Sequence, residues 1–394
     1  MGSRHLYIHI PFCPSRCRYC DFASEAIHVG GEYRIERYFR MLHSEIQGFL
    51  PELHLPLETV YVGGGTPTAV RRGLLTELLS RISQRSGSAQ GAGRGPREEG
   101  GALIHPDGEL TVEANPGTVD AEYLAELMRA GVTRLSLGVQ SFHPELLRSL
   151  GRRVEINQLD TAIGAVKDVG WLDWNLDLVF GIPGQDRDSM HRDIYSAVQA
   201  RPTHISLYDL TYTRGYLDYL DQEIQVPFRD AQQFAEDHYA EAADLLQDAG
   251  YLRYEISNFA LPGYESKHNQ AYWRGRDYAG VGVAAVSTLG GERRTNPDTV
   301  DEYLRRRPPT LESLSPPVRL YEKVMLGLRT RDGVDEEEVA SALDSKSVEE
   351  MVDRGLLTRR CGTLCLTRRG FGLCNTVLIA ILREVEPNQV SEHP

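Results

Sequence analysis

The segment YIHIPFCPSRCRYC, residues 7–20, joins an apolar run to three closely spaced cysteines. Cys13, Cys17 and Cys20 follow the spacing C-x3-C-x2-C, and mostly polar residues separate them. An iron–sulfur cubane has four irons and normally takes four thiolates, so three cysteines leave one iron open. The segment therefore predicts a strand followed by a loop that holds a 4Fe–4S cluster with one exchangeable position.

An open cluster iron at the end of a strand can bind the amino and carboxylate groups of S-adenosylmethionine. Electron transfer from the reduced cluster would then break a carbon–sulfur bond, which is chemistry that the cofactor carries and the protein positions. The triplet is also compatible with a catalytic zinc ion that keeps one open position, or with ordinary buried thiols. A disulfide framework does not fit a chain of 394 residues with six cysteines.

The composition describes a chain with a sizeable core and an acidic surface. Hydrophobic residues make up 41% of it and the formal net charge is −13, which argues against broad attraction to nucleic acid or anionic membranes. The apolar run at 6–10 is too short for the core of a signal peptide, and no run reaches the roughly eighteen residues of a membrane span. We therefore expect a cytoplasmic protein without nucleic-acid partners or membrane spans.

Strand-like and helix-like patterns alternate six times in the first 250 residues. The predicted strands are 6–10, 59–64, 110–115, 134–140, 175–180 and 204–211, and the helices that follow them are 33–50, 74–83, 121–130, 156–169, 188–200 and 231–249. Six β-then-α units predict a parallel sheet with right-handed crossovers, too few to close an eight-fold barrel. We therefore predict an α/β fold, a partial (β/α)6 TIM-like barrel whose chemistry lies at the carboxyl ends of its strands.

Residues 1–250 form this predicted barrel. A segment at 85–108 is rich in Gly, Ser, Arg and Glu, which is typical of a flexible insertion. Residues 251–310 are predicted to extend the barrel and to lead into a linker marked by four prolines between 308 and 317.

The remaining residues, 311–394, have the element order of a winged helix. The predicted elements are helices at 318–328 and 347–354, an acidic helix start at 335–338, a hairpin around Cys361 and Gly362, and a last helix at 372–382. Fourteen acidic against eleven basic residues are the wrong balance for a DNA-binding face.

Glycines and polar residues recur where the predicted strands end. They are the GGGTP turn at 63–67, which contains Gly64, Gly65 and Thr66, and the residues Glu113, Gln140, Arg152 and Asp177. Glycines let the backbone approach a ligand closely, and a carboxylate such as Glu113 suits a ribose hydroxyl or an ammonium group. Each residue alone is also compatible with a structural role, but strand ends of a parallel sheet meet at one edge.

The stretch HNQAYW at 268–273 places His268 and an amide beside two aromatic residues. Histidine ligates haem iron axially and aromatic rings cover a porphyrin, although a capped loop packed on the core has the same composition. Two weaker patterns are discounted. The GVGVAA stretch at 280–285 lacks the strand–turn–helix unit of a dinucleotide site, and the three C-terminal cysteines fit a hairpin and small buried residues better than a second metal site.

Taken together, these motifs resemble the radical S-adenosylmethionine proteins related to oxygen-independent coproporphyrinogen III oxidase (HemN), and within them the HemW-type haem chaperones. The resemblance rests on the segments 7–22, 63–67, 138–142 (GVQSF), 175–181 (NLDLVFG) and 268–273, and it covers nearly all of the chain. Phe22 stands where the oxidase has a fourth cysteine, which departs from the oxidase and matches the chaperones.

The resemblance implies roles for individual residues. Tyr7, Gly64 and Glu113 match positions that bind the S-adenosylmethionine on the cluster. Six others match positions that hold a second such molecule in the oxidase: Tyr19, Gly65, Thr66, Gln140, Arg152 and Asp177. Whether a second molecule binds here stays open, and His268 is the implied haem residue.

The resemblance also implies a C-terminal HemN-like domain and a haem chaperone that hands haem to an acceptor protein. An electron donor such as flavodoxin or ferredoxin would reduce the cluster. The alternative is an enzyme that decarboxylates coproporphyrinogen III oxidatively or methylates another substrate.

Overall fold

The computed structural model describes residues 2–83, 102–221 and 228–383. Within them, a nine-stranded sheet forms the centre of the molecule. Its spatial order is β11 (Ala279–Val281), β1 (His5–Ile10), β4 (Leu57–Gly64), β5 (Ile104–Ala114), β6 (Arg134–Gln140), β7 (Trp174–Phe180), β8 (His204–Asp209), β10 (Asn258–Ala260) and β9 (Leu252–Arg253). All neighbours from β11 to β8 are parallel, and β10 and β9 pair antiparallel at the far edge.

The predicted partial barrel of six β-then-α units is confirmed. The helices that follow its strands are α1 (Gly31–Phe49), α2 (Arg72–Ser83), α3 (Ala121–Arg129), α4 (Pro144–Ser149), α5 (Ile156–Asp168), α6 (Arg187–Ala200), α7 (Arg214–Tyr219) and α8 (Phe228–Asp248). Each long helix has an apolar stripe at helical spacing; on α1 it includes Ile35, Tyr38, Leu42 and Phe49. These stripes cover the outer face of the sheet, where Leu6, Ile8 and Ile10 are fully buried.

Alternate residues of each strand point to opposite faces of the sheet, and those that point inward are mostly polar. Its lower layer carries His5, Thr59, Glu109, Arg134 and Asn175 on successive strands. Buried polar groups need hydrogen-bond partners: across the strands His5 bonds Thr59, and Asn175 bonds Ser136 and His204, whereas Arg134 Nε and Nη2 have no partner among the described residues. The barrel interior is therefore a hydrogen-bonded polar layer open to the strand ends.

Two further sheets and the remaining helices follow the barrel. Strands β12 (Val286–Leu289), β13 (Glu292–Thr295) and β14 (Thr310–Ser313) form one antiparallel sheet. Helix α9 (Lys267–Trp273) precedes it in sequence, and α10 (Val300–Leu304) lies between β13 and β14. The winged-helix order consists of α11 (Pro316–Gly327), β15 (Val334–Asp335), α12 (Glu336–Val339), α13 (Ser345–Asp353), β16 (Leu357–Arg360), β17 (Thr363–Leu366), α14 (Arg368–Gly372) and α15 (Cys374–Ile381). These C-terminal elements bury their own apolar core, centred on Val324, Leu364 and Val377. The predicted boundaries at 250 and 310 stay predictions.

The structure corrects the C-terminal end of the predicted insertion 85–108. Strand β5 begins at Ile104, so the last residues of the predicted insertion 85–108 belong to the sheet, where the register against β4 shifts between Leu57 and Thr59. Residues 85–101 of that segment lie outside the described residues, as do 384–394 at the end of the predicted C-terminal domain. In the described parts of the chain, no helix is both long and apolar enough to cross a membrane.

Candidate cofactor site

The three cysteines lie at the carboxyl ends of the strands, in a loop fastened to the GGGTP turn. Two short strands, β2 (Phe12–Cys13) and β3 (Glu25–Ala26), pair in parallel and close the loop between them. The turn continues this pairing, since the amides of Gly65 and Thr66 donate to the carbonyls of Ile10 and Phe12, each at 2.8 Å. The Thr66 hydroxyl also donates to Cys13 Sγ at 3.5 Å. Backbone bonds therefore fix the cysteine loop against the end of β4.

All three thiols are free and partly exposed. Burial raises the pKa of the Cys13 thiol, and burial together with the nearby Cys17 and Cys13 thiols raises the pKa of Cys20 to about 11. The neighbouring thiols thus oppose the ionisation of Cys13 and Cys20. Among the described residues, no three His, Cys, Asp or Glu side chains are grouped to hold a metal ion. A zinc ion needs its ligands around one point, whereas a cluster binds each thiolate at a different iron.

The glycines of the turn leave no room for side chains. A Cβ on Gly63 would lie 2.7 Å from the Glu113 carboxyl, and one on Gly64 would lie 2.4 Å from the His9 ring. A Cβ on Gly65 would meet backbone atoms of Pro11 and Phe12 at 2.8 Å. The glycines therefore let three strand ends and the cysteine loop pack together, which is a requirement of the protein itself and independent of any ligand.

Glu113 lies at the centre of this packing. Its carboxylate accepts from the Tyr61 hydroxyl at 2.8 Å and from the Gly64 amide at 3.0 Å. Burial, followed by the charge of Asp177, raises the pKa of Glu113 to about 7. A buried carboxylate with a pKa near 7 would be stabilised in its charged form by a cationic partner, such as the ammonium group of an amino acid.

Replacing Glu113 with glutamine tests this environment without any cofactor. The folded protein keeps the Glu113 proton at pH values where the unfolded chain, with a pKa of 4.5, has lost it. Its ionisation therefore lowers the free energy of unfolding as the pH rises from about 4.5 to about 7. Urea unfolding should show the wild type losing stability relative to Glu113→Gln between about pH 4.5 and pH 7. A difference that stays constant over this range would contradict the raised pKa.

Tyr7 and His9 form the neighbouring part of the inner face. The Tyr7 hydroxyl donates to His9 Nδ1 at 3.0 Å, while His9 Nε2 donates to the Ala23 carbonyl at 2.8 Å. Burial lowers the pKa of His9 and raises that of Tyr7, so both groups stay neutral. His9 thereby ties β1 to the polypeptide just beyond the third cysteine.

A second group of predicted residues lies at the ends of the neighbouring strands β6 and β7. Arg152 donates from Nη2 to the Gly138 carbonyl at 2.7 Å and hydrogen-bonds Tyr19, while its buried Nε has no partner among the described residues. Asp177 accepts from Ser136 at 3.1 Å and from Asn175 at 2.7 Å. Buried polar groups are almost always hydrogen-bonded. The unpartnered Arg152 Nε is therefore suited to bind a polar ligand.

Gln140 joins this second group from the end of β6. Its backbone has φ 73°, a left-handed conformation that residues with a Cβ rarely adopt. Its side-chain nitrogen lies beside Gly138, 3.0 Å from where a Cβ on that glycine would be. The strand ends thus bring Tyr19, Gln140, Arg152 and Asp177 together near the cysteine loop.

His268 lies lower in the barrel than the other predicted residues. Its Nδ1 is 2.8 Å from the Thr59 hydroxyl, four residues and about 13 Å along β4 from Gly63. Its ring packs 5.3 Å from Tyr61, whereas Tyr272 contacts Trp273 and Tyr278. The expected grouping of His268 with the two aromatics of its motif is therefore not observed. Burial, followed by the charge of His5, lowers the pKa of His268 to about 3 and keeps it neutral.

Two contributors to the site were missed at the level of sequence. Tyr61 links the layers, because its hydroxyl bonds Glu113 and its ring touches His268. Glu109 accepts from the amides of Lys267 and His268 and so anchors α9 to β5. Tyr61 and Glu109 face inward with Gly63 and Glu113 by the two-residue period of their strands, which is the signal that would have found them.

The residues present fit a cluster and a small polar cofactor. The donor set for a cluster is the three thiols of one exposed loop, and the donor set for an amino acid moiety is Glu113 with the turn around Gly64. Arg152, with an unsatisfied buried nitrogen, adds a cationic group beside Gly138.

Comparisons with known proteins agree with this arrangement. The radical SAM superfamily model matches residues 7–194, and the HemN C-terminal domain model matches 314–373. The heme chaperone HemW of Lactococcus lactis is 32% identical over 94% of this chain and 95% of its own length, and that of Bacillus subtilis is 31% identical over 96% and 99%. The structure of coproporphyrinogen III oxidase (HemN) from Escherichia coli gives a TM-score of 0.78 at 20% identity, over 96% of this chain and 90% of that one.

A parallel partial barrel with a three-cysteine loop at its strand ends defines a radical S-adenosylmethionine protein. The likeness to the oxidase concerns the fold, while the sequence relatives match along nearly their whole length. The chain belongs to the HemW family of this superfamily.

Proposed function

We propose that this protein is a haem chaperone on a radical S-adenosylmethionine scaffold, which binds haem and transfers it to an acceptor protein. The observation that carries the proposal is the cysteine loop packed on the GGGTP turn and Glu113, in a chain whose full-length relatives are named heme chaperones. Phe22, 65% exposed, stands in place of the oxidase's fourth cysteine and weighs against oxidase activity.

In this proposal Cys13, Cys17 and Cys20 hold a 4Fe–4S cluster, which supplies low-potential electrons when it is reduced. Glu113 and the backbone at Gly64 hold the amino acid end of S-adenosylmethionine, and Arg152 and Asp177 offer charged partners at the neighbouring strand ends. Flavodoxin or ferredoxin as electron donor, an unidentified acceptor protein and a cytoplasmic location stay predictions.

One experiment distinguishes the chaperone proposal from the enzyme alternative. The reconstituted protein is incubated anaerobically with coproporphyrinogen III, reductant and S-adenosylmethionine, beside the Escherichia coli oxidase as positive control. We expect no multiple-turnover formation of protoporphyrinogen IX, while the same preparation binds haem in a spectroscopic titration. Many turnovers would overturn the chaperone proposal in favour of the oxidase.

Haem binding at His268 is the second testable part of the proposal. A neutral imidazole with Nδ1 held by Thr59 suits a metal ligand, since the partner fixes the ring and leaves Nε2 without a hydrogen bond to the described residues. We expect His268→Ala to bind haem more weakly, with a shifted Soret band and unchanged cluster absorption. Burial of the macrocycle, worth roughly 25 cal/mol per Å² of apolar surface, should leave residual affinity.

The matched control for this variant is His5→Ala, which removes the other ring nitrogen on the same Thr59 hydroxyl, 3.0 Å away. A purely structural role for the pair would give both variants the same effect on haem binding and stability. An unchanged affinity and spectrum in His268→Ala would return the motif to a packing role. His9 is a poor replacement ligand, because both of its ring nitrogens are already bonded.

A further inference from the structure

Gln140 has the most strained backbone of the predicted cofactor residues. The end of β6 contains a bulge, because the pairing register with β7 shifts between Gly138 and Gln140. Gln140 itself has a left-handed backbone conformation. Bulges of this kind re-aim a side chain next to functional sites. A residue with a side chain stays in such a conformation only where its surroundings hold it.

The turn that follows Gln140 is contacted by a side chain of helix α6. Asp193 of α6 is buried, and its carboxylate accepts from the Ser141 hydroxyl at 2.9 Å and from the Phe142 amide at 2.7 Å. His143 Nε2 lies 3.8 Å from the same carboxylate, and the His143 amide donates to the Ser141 hydroxyl at 3.0 Å. All three residues that follow Gln140 are therefore tied, directly or through one hydroxyl, to one buried side chain.

We propose that Asp193 is a positioning residue for the cofactor site, which holds the turn 141–143 so that Gln140 keeps its left-handed backbone and its side chain stays over Gly138. This inference rests on the proposed function, because it takes Gln140 to contact a second bound S-adenosylmethionine, the molecule that the family resemblance implies for this position. Asp193 itself lies behind the turn and acts through Gln140 alone.

The chain offers a conservative variant and a matched control. Asp193→Asn keeps an oxygen for the Phe142 amide, whereas Asp193→Ala removes every contact to the turn. Asp186→Ala removes another carboxylate of the same helix, the N-cap of α6, which accepts from the Ser189 amide at 2.8 Å and does not touch the turn. Both alanine variants should lower stability, but only Asp193→Ala should affect the site.

The first measurement needs no cofactor. Hydrogen–deuterium exchange of the peptide covering 138–143 should speed up strongly in Asp193→Ala, stay near wild type in Asp193→Asn, and stay near wild type in Asp186→Ala. Exchange in Asp193→Ala as slow as in the wild type would overturn the proposal, because the turn would then be held by something else.

The second measurement is S-adenosylmethionine binding to the cluster-reconstituted protein. We expect Asp193→Ala to weaken binding about tenfold, the effect of one or two lost hydrogen bonds, and Asp193→Asn to restore most of it. In the Gln140→Ala background, Asp193→Ala should cause no further loss, because residues that act through one another are not additive. Full additivity, or wild-type binding by Gln140→Ala, would refute the inference. A wild type that binds one molecule and no second would also refute the inference, whereas a wild type that binds none would refute the proposed function.

Discussion

Alanine at any one of Cys13, Cys17 and Cys20 is expected to abolish the iron–sulfur cluster. Each thiolate would bind a separate iron, and the other three cysteines lie in the C-terminal elements, where Cys365 and Cys374 are buried. No neighbour can therefore replace a missing ligand. Anaerobic reconstitution should leave each variant, and the triple variant, with little iron and without the broad visible absorption of the parent.

The control is Cys361→Ala, which removes an exposed cysteine from the turn between β16 and β17. It should reconstitute like the wild type, so that a loss in the other variants cannot be attributed to fewer thiols in general. The assignment would be wrong if the triple variant kept the iron content and the spectrum of the parent.

Alanine at Gly65 is expected to have the second largest effect. Its Cβ would lie within 2.9 Å of backbone atoms of Ile10, Pro11 and Phe12, and backbone cannot swing away as a flexible side chain can. Either the GGGTP turn or the segment that leads to Cys13 must shift. We expect the free energy of unfolding to fall by about 1–3 kcal/mol, as for other overpacked sites, and cluster incorporation to fall with it.

Gly73 provides the matched substitution. It lies in the first turn of α2, and a Cβ there would meet no atom within 4 Å. Gly73→Ala should be neutral or slightly stabilising, because alanine favours a helix over glycine. Urea unfolding and iron content of the two variants measure the difference. Equal behaviour of the two would mean that the cysteine loop does not depend on its packing against Gly65.

Much of the fold follows from local patterns in the sequence. Strand 134–140 was predicted with its observed bounds, and the other five core strands differ from prediction by a few residues at their ends, except β5, which begins six residues early. Hydrophobic periodicity predicts these elements because a strand or helix buries one face at a fixed spacing. The cysteine triplet and the GGGTP turn are equally local, since their chemistry lies in residue types a few positions apart.

The contacts inside the barrel depend on strand register and could not be predicted in this way. Tyr61 meets Glu113 across 52 positions and Asp193 meets Phe142 across 51, and neither pair has a local signal. The same holds for His268, which the sequence placed beside Tyr272 and Trp273 and which the fold turns toward Thr59 and Tyr61.

The element order, the three-thiol loop and the edge of the sheet where the polar residues meet were all predictable from the amino-acid sequence. These follow from periodicity and from the rule that parallel strands end together. Three features became visible only in the folded chain: which side chains share a layer, that packing requires the turn glycines, and that the turn after the left-handed Gln140 bonds to Asp193 of a distant helix. Such features arise from inter-strand register and close packing, which are properties of the assembled chain.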